Sequence, residues 1–171
     1  MTPLPGPLAP GALLVAWRLD AQRCASTWDS GVGAERAGGR WNPKGVKVVY
    51  CSLDPATTIL EAAVHRGFEV LDTRPHVLTG LTVSDPSDVV VVVPDDIEVH
   101  NPAWLHGGSP SAGQQAFGAA LLDRHPFVAV PSVVSRFSWN LLFRPDKAAG
   151  KYELRSQDRL VIDTRLNPPK R

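Results

Sequence analysis

The stretch GGRWNPKGVKVVYCSLDPATTILEAAVHR, residues 38–66, holds a turn, a strand and a helix start in one line. Asn42, Pro43 and Gly45 suit the first, second and fourth places of a type I turn closed by a left-handed glycine. That combination predicts a three-residue hairpin loop with a glycine bulge. Asn42 then pairs with Val46, and Arg40 lies opposite Val48. In this register Arg40 shares a face with Val46, Val48 and Tyr50, whereas a two-residue loop would turn it to the other face. A strand is expected over Val46 to Ser52. Asp54-Pro55 then opens a helix, with Asp54 as its cap, Pro55 in the first helical position and Ala56 to Arg66 as its body.

Upstream, residues 1–12 carry Pro3, Pro5, Pro7 and Pro10 and read as a loose arm. A first strand is expected from Leu13 to Leu19, and a loop with at most one short helix over residues 20–37. Downstream, strands are expected near Val77 to Val83, Val89 to Val93 and Phe127 to Val134. A long connection with Pro94, Pro102 and Gly107-Gly108 precedes a helix at about Ser111 to Arg124. Tyr152 to Leu154 and Leu160 to Ile162 alternate like a terminal hairpin. Strands outnumber helices and do not alternate with them, which predicts an α+β fold with a mixed or antiparallel sheet flanked by helices. One domain over residues 13–166 fits the 171-residue length, with 167–171 as a tail.

Eighteen basic residues face 17 acidic ones, a net charge of +1. That balance leaves no footprint for direct nucleic-acid binding and no polybasic membrane patch. No apolar run nears the roughly 18 residues needed to span a bilayer. A secretory signal is not expected, since no basic residue precedes Arg18. Cys24 and Cys51 make neither a disulfide framework nor a metal motif, and the cytoplasm is the expected compartment. Gly31-Val32-Gly33 lacks the third glycine of a dinucleotide fingerprint. No Gly-x-Ser-x-Gly elbow surrounds Ser132, which disfavours a hydrolase triad.

The residues that carry chemistry are then few. Glu61 sits about two turns into its helix between Ile59-Leu60 and Ala62-Ala63, an apolar setting that is costly for a carboxylate unless it is paired or used. The helix must pack back near the Tyr50 strand, so Arg40, Tyr50 and Glu61 are placed to meet in one cleft. Ser132 at a strand end is able to join them. Each has a plainer reading. Arg40 and Glu61 suit a buried ion pair, Tyr50 a core tyrosine, and Ser132 a strand-end residue bonded to nearby backbone. His65, four residues after Glu61, suits a partner that orients the carboxylate.

Gly39-Arg40-Trp41-Asn42, Tyr50-Cys51-Ser52, the Glu61 helix, Trp104, the stretch from Gln114 to Gly118, Pro131-Ser132, Asn140 and Ile162-Asp163-Thr164-Arg165-Leu166 together resemble the RES domain. The ordered combination runs from about Trp17 to Leu166. One departure is Arg144-Pro145, where the family often has Asn-Pro. The resemblance implies a fold similar to the ADP-ribosyltransferase toxins and a toxin that breaks the nicotinamide–ribose bond of NAD. ADP-ribose then goes to water, phosphate or a protein. NAD is a substrate here, and no cofactor is implied. The implied partner is an Xre-type helix-turn-helix antitoxin, and a homodimer is left open. Glu61, Arg40 and Tyr50 take the catalytic places, and Arg18, Trp41, Asn42, Ser132 and Asn140 the substrate contacts. Arg40 is the first candidate for the diphosphate and Arg18 the second. A carboxylate beside the ribose suits the oxocarbenium-like charge of the breaking bond. The leading expectation is hydrolysis or phosphorolysis of NAD, the rival is ADP-ribosylation of a protein, and a further alternative is an inactive NAD-like ligand module.

Overall fold

A computed structural model describes residues 13–106, 110–161 and 163. The arm at 1–12, Gly107-Gly108, Ile162 and the tail at 167–171 lie outside them. Strands β1 (Leu14–Ala21), β2 (Val49–Ser52), β3 (His76–Val83), β4 (Val89–Val91), β5 (Phe127–Pro131), β6 (Trp139–Phe143) and β7 (Tyr152–Leu160) form one sheet. Its order is β4-β5-β6-β2-β1-β3-β7. All neighbours run antiparallel except β4 and β5. Helices α1 (Val32–Ala37), α2 (Pro55–Arg66), α3 (Phe68–Thr73), α4 (Pro94–Glu98) and α5 (Ala112–Arg124) complete the α+β architecture. Among the described residues no helix is long and apolar enough to cross a membrane.

Alternation along the strands divides the apolar residues between the two sheet faces. One face carries Leu14, Ala16, Val49, Cys51, Phe127, Ala129, Leu141 and Phe143, covered by Trp28, Ala148 and Tyr152. The other carries Tyr50, Val128, Val130 and Leu142, packed with Leu121, Leu122 and Ile97 of the helices. Next to that second cluster, Leu19 and Leu78 meet Ile59, Ala62 and Ala63 of α2 and Leu71 of α3. The helix α2 begins as its residues dictate: the Asp54 carboxylate accepts from Thr57 N at 2.7 Å, and Pro55 occupies the first turn. Thr58 Oγ1 donates to Trp17 O at 3.0 Å and pins the helix to β1.

Several expectations are corrected. No hairpin joins residues 40–50: the strand begins at Val49, later than Val46, and pairs with β1 and β6 instead. Gly45 does take a positive φ of 90°, but its N–H donates to Glu35 O at 2.8 Å. The turn chemistry is met by a loop folded against α1, because β2 finds its partners elsewhere in the chain. The expected terminal hairpin is one strand, β7, paired along β3 with an irregularity at Gly80/Leu81. Residues 22–27 form a 3-10 segment ahead of α1, and the strand from Phe127 ends at Pro131. The strand β6 and the helices α3 and α4 were not foreseen.

Candidate active site

Glu61 lies on α2 with its side chain 18% exposed, so solvent and small molecules reach it. Its Oε1 accepts two hydrogen bonds, from Ser132 Oγ at 2.8 Å and from Asn140 Nδ2 at 2.7 Å. Ser132 is fully buried just past β5, on the same sheet face as Val128 and Val130. Its oxygen accepts from Val134 N at 3.1 Å and Ser135 N at 3.0 Å, which leaves its proton for Glu61. Asn140 sits in β6 opposite Ser52 of β2, and Ser52 Oγ donates to Asn140 Oδ1 at 2.8 Å. Glu61 Oε2 has His65 Nε2 at 3.9 Å, on an imidazole that is largely exposed.

Arg40 is half-buried in the loop after α1, and its Nη1 donates to Trp104 O at 2.9 Å. Burial pulls its guanidinium below the usual value, while the nearby Glu61 carboxylate and the Tyr50 phenol act the other way. Arg40 thus lies within range of the Glu61 charge, yet no direct ion pair joins them among the described residues. The plain buried-pair reading is not what the side chains do. The bond to Trp104 O is the one hydrogen bond of the Arg40 fork among the described residues.

Tyr50 has a different duty. Its hydroxyl donates to Asn42 Oδ1 at 2.6 Å and accepts from Trp41 N at 3.2 Å. Burial pushes the phenol well above its ordinary range, against the Trp41 N–H and Arg40, so it stays neutral at ordinary pH. Its hydroxyl is committed to the loop, and its ring packs with the second apolar cluster. Gly39 makes this contact possible, because a Cβ there would run into the Tyr50 hydroxyl and Asn42 Oδ1. Gln115 Nε2 donates to Gly39 O at 2.8 Å and ties α5 to the same loop.

Three expected substrate contacts are placed otherwise. Arg18 lies on the opposite sheet face from Tyr50 and Ser52, since Trp17 pairs with Ser52 and side chains alternate. Its fork is taken by Asp20, at 2.6 and 2.8 Å, and by Tyr50 O at 2.9 Å. Asn42 is fully buried, and its Nδ2 points at Ala34 O, Pro43 O and Val46 O, so it shapes the loop from within. Trp41 is buried in the core beside α5, and Gly118 meets its backbone there. Ser132 and Asn140 belong to the site, but they hold the carboxylate. Arg144, at the departure from the family pattern, is engaged away from Glu61, with Asp146 at 2.8 Å and Asp123 at 3.3 Å.

The sequence alone assigns Ser52 no role of its own. The signal was there in its spacing, because residues 50 and 52 of a strand share a face. Trp104, one of the residues of the RES pattern, adds its carbonyl as the anchor of Arg40.

A carboxylate oriented by two donors, beside a partly buried guanidinium and an aromatic ring, suits a substrate with an anionic part and a centre that becomes positive. The family model described as the RES domain matches residues 15–163. A relative named Prs ADP-ribosylating toxin, from Sphingobium sp. (strain YBL2), is 33% identical over 141 residues, covering 75% of this chain and 81% of that protein. Among solved structures, the M. tuberculosis MbcT–MbcA toxin–antitoxin complex contains a chain matching with a TM-score of 0.70 at 21% identity. That match covers 86% of this chain and 84% of the other, and it speaks for the fold. By the match over residues 15–163 and the 33% identical relative, the chain belongs to the RES domain family.

Proposed function

We propose that this protein is the toxin of a toxin–antitoxin pair and cleaves the nicotinamide–ribose bond of NAD, passing ADP-ribose to water or phosphate. The observation that carries the reading is Glu61, whose Oε1 is held by Ser132 and Asn140 and whose Oε2 has no hydrogen bond among the described residues. As the bond to nicotinamide breaks, positive charge grows on the ribose, and a fixed carboxylate stabilises it without reorganising. Arg40 takes the diphosphate with the N–H groups that Trp104 leaves over. The Tyr50 ring walls the nicotinamide–ribose end. Nicotinamide departs as a neutral base, so no strong acid is needed. NAD is then substrate, and the reaction asks for no cofactor.

A second reading, transfer of ADP-ribose to a protein, is favoured by the name of the relative that is 33% identical. Both readings share the cleavage step and the same three residues. The partner expected is an Xre-type helix-turn-helix antitoxin that covers the site, in the cytoplasm. The toxin–antitoxin complex among the fold neighbours supports the antitoxin partner alone.

The test incubates purified protein with NAD labelled in the adenylate half, with and without phosphate and with a cell extract as acceptor. Nicotinamide release with free ADP-ribose or its phosphate supports the first reading. Label found only on a protein supports the second. No nicotinamide release with any acceptor sinks both. Glu61→Gln keeps an acceptor oxygen for Ser132 and Asn140 but removes the charge. It is expected to stay folded and to lose on the order of 10²–10³-fold in rate.

A further inference from the structure

We propose that Ser52 is a positioning residue for the Glu61 carboxylate, acting through the Asn140 amide; this rests on the reading that Glu61 is the working carboxylate. The directions of the hydrogen bonds carry it. An ionised Glu61 Oε1 only accepts, so the Asn140 nitrogen must be the atom at 2.7 Å. The Asn140 oxygen is thereby turned away, to the Ser52 hydroxyl at 2.8 Å. An oxygen there cannot donate, so Ser52 must. Proton direction is fixed along the whole run, from Ser52 to Asn140 to Glu61.

The second holder of Glu61 is locked in the same manner, since two backbone N–H groups fill the acceptor side of Ser132. Both clamps end on Oε1. The plane of the carboxylate is thus set from the protein side, and Oε2 is the oxygen left for the substrate. Ser52 is 3% exposed and sits across from Asn140 in the β2–β6 register, out of the substrate's reach. Without its hydroxyl, the Asn140 oxygen has lost its donor. The amide is then free to turn over and set oxygen against oxygen at Glu61. That misplaces a charge needed when the bond breaks and leaves ground-state binding alone, so kcat falls and KM does not.

The experiment compares Ser52→Ala and Ser52→Thr for nicotinamide release, and follows the Asn140 side-chain amide by nitrogen-15 NMR. Cys51→Ala is the control, because Cys51 is a buried neighbour on the same strand with its side chain on the opposite face. Ser52→Ala is expected to lower kcat about tenfold, the order of one hydrogen bond's net contribution, with KM within about twofold. Ser52→Thr restores the rate, and Cys51→Ala loses stability without losing kcat. The Asn140 amide signals, held off the free-asparagine position by Glu61 in the parent, move towards it in Ser52→Ala, each proton keeping its own resonance because the C–N bond resists rotation. Should that variant not fold, Ser52→Cys replaces it, keeping the volume with a weak donor. A parent-like kcat in Ser52→Ala, an Asn140 amide that does not move, or an equal kcat loss in Cys51→Ala each overturns the proposal. If the parent itself releases no nicotinamide, the NAD reading fails, and the Asn140 resonance still decides the role of Ser52.

Discussion

At the scale of single residues, the site separates groups that work from groups that hold. Tyr50 belongs partly to both. Tyr50→Phe leaves Asn42 Oδ1 and Trp41 N without their partner, and stability is expected to drop by about 1–3 kcal/mol in urea unfolding. Its ring remains, so substrate binding should suffer less than the Arg40 loop does. Cys51 gives a pH signature. Burial pushes its thiol up to about 12, whereas an unfolded thiol titrates at about 8.5. Between those values the native state binds more protons than the unfolded one, so stability falls as pH rises through the window. Cys51→Ala should flatten that alkaline slope, read as the midpoint of unfolding at pH 9 and pH 11. A slope unchanged by the substitution would mean that another group sets it. Glu61 and Arg40 stand out in the sequence because a carboxylate in an apolar helix run and an arginine beside a glycine turn are conspicuous. The burden on Ser132 and Asn140 does not, because which oxygen a serine or amide faces is decided by strands that meet only in the folded chain.

At the scale of elements, α2 was legible to the residue, since its cap, its first-turn proline and its helix formers are all local. The loop ahead of β2 was not. Asn42-Pro43-Lys44-Gly45 carries the same turn chemistry whether a hairpin or a free loop follows. What decides is that β2 pairs with β6, about ninety residues away, as the separation of 88 between Ser52 and Asn140 records. The edges of that loop rest on α5. A Cβ at Gly118 would fall on the Trp41 carbonyl and 2.9 Å from its Cα, and backbone cannot yield as a flexible side chain does. Gly118→Ala is therefore expected to cost about 1–3 kcal/mol. It should also slow the proposed NAD cleavage, since Trp41 adjoins Arg40. A midpoint and rate equal to the parent's would show that α5 shifts freely.

At the scale of the whole molecule, one mixed sheet separates two apolar layers, and the site lies on the helix-covered side. The α+β class followed from strands that outnumber helices, but the order β4-β5-β6-β2-β1-β3-β7 did not, because it depends on pairings between distant segments. The layer away from the site gives a clean stability probe. Phe143 is fully buried there against Phe127 and Tyr152. Phe143→Ala is expected to cost about 3–5 kcal/mol. For a chain of this size Tm falls by roughly 2–4 °C for each of those kcal/mol. Activity per folded molecule should stay near the parent's at low temperature, which would separate core from chemistry.

The two bonds on Glu61 also set a timetable. Their partners stand 71 and 79 residues further along the chain. During synthesis, α2 can form early, but its carboxylate has no clamp until β5 and β6 have emerged and joined the sheet. A chain cut short before Ser132 would carry the glutamate without the means to aim it. For a protein read as harmful to its own cell, activity is thereby deferred until β5 and β6 are made, and a partner has that interval in which to be present.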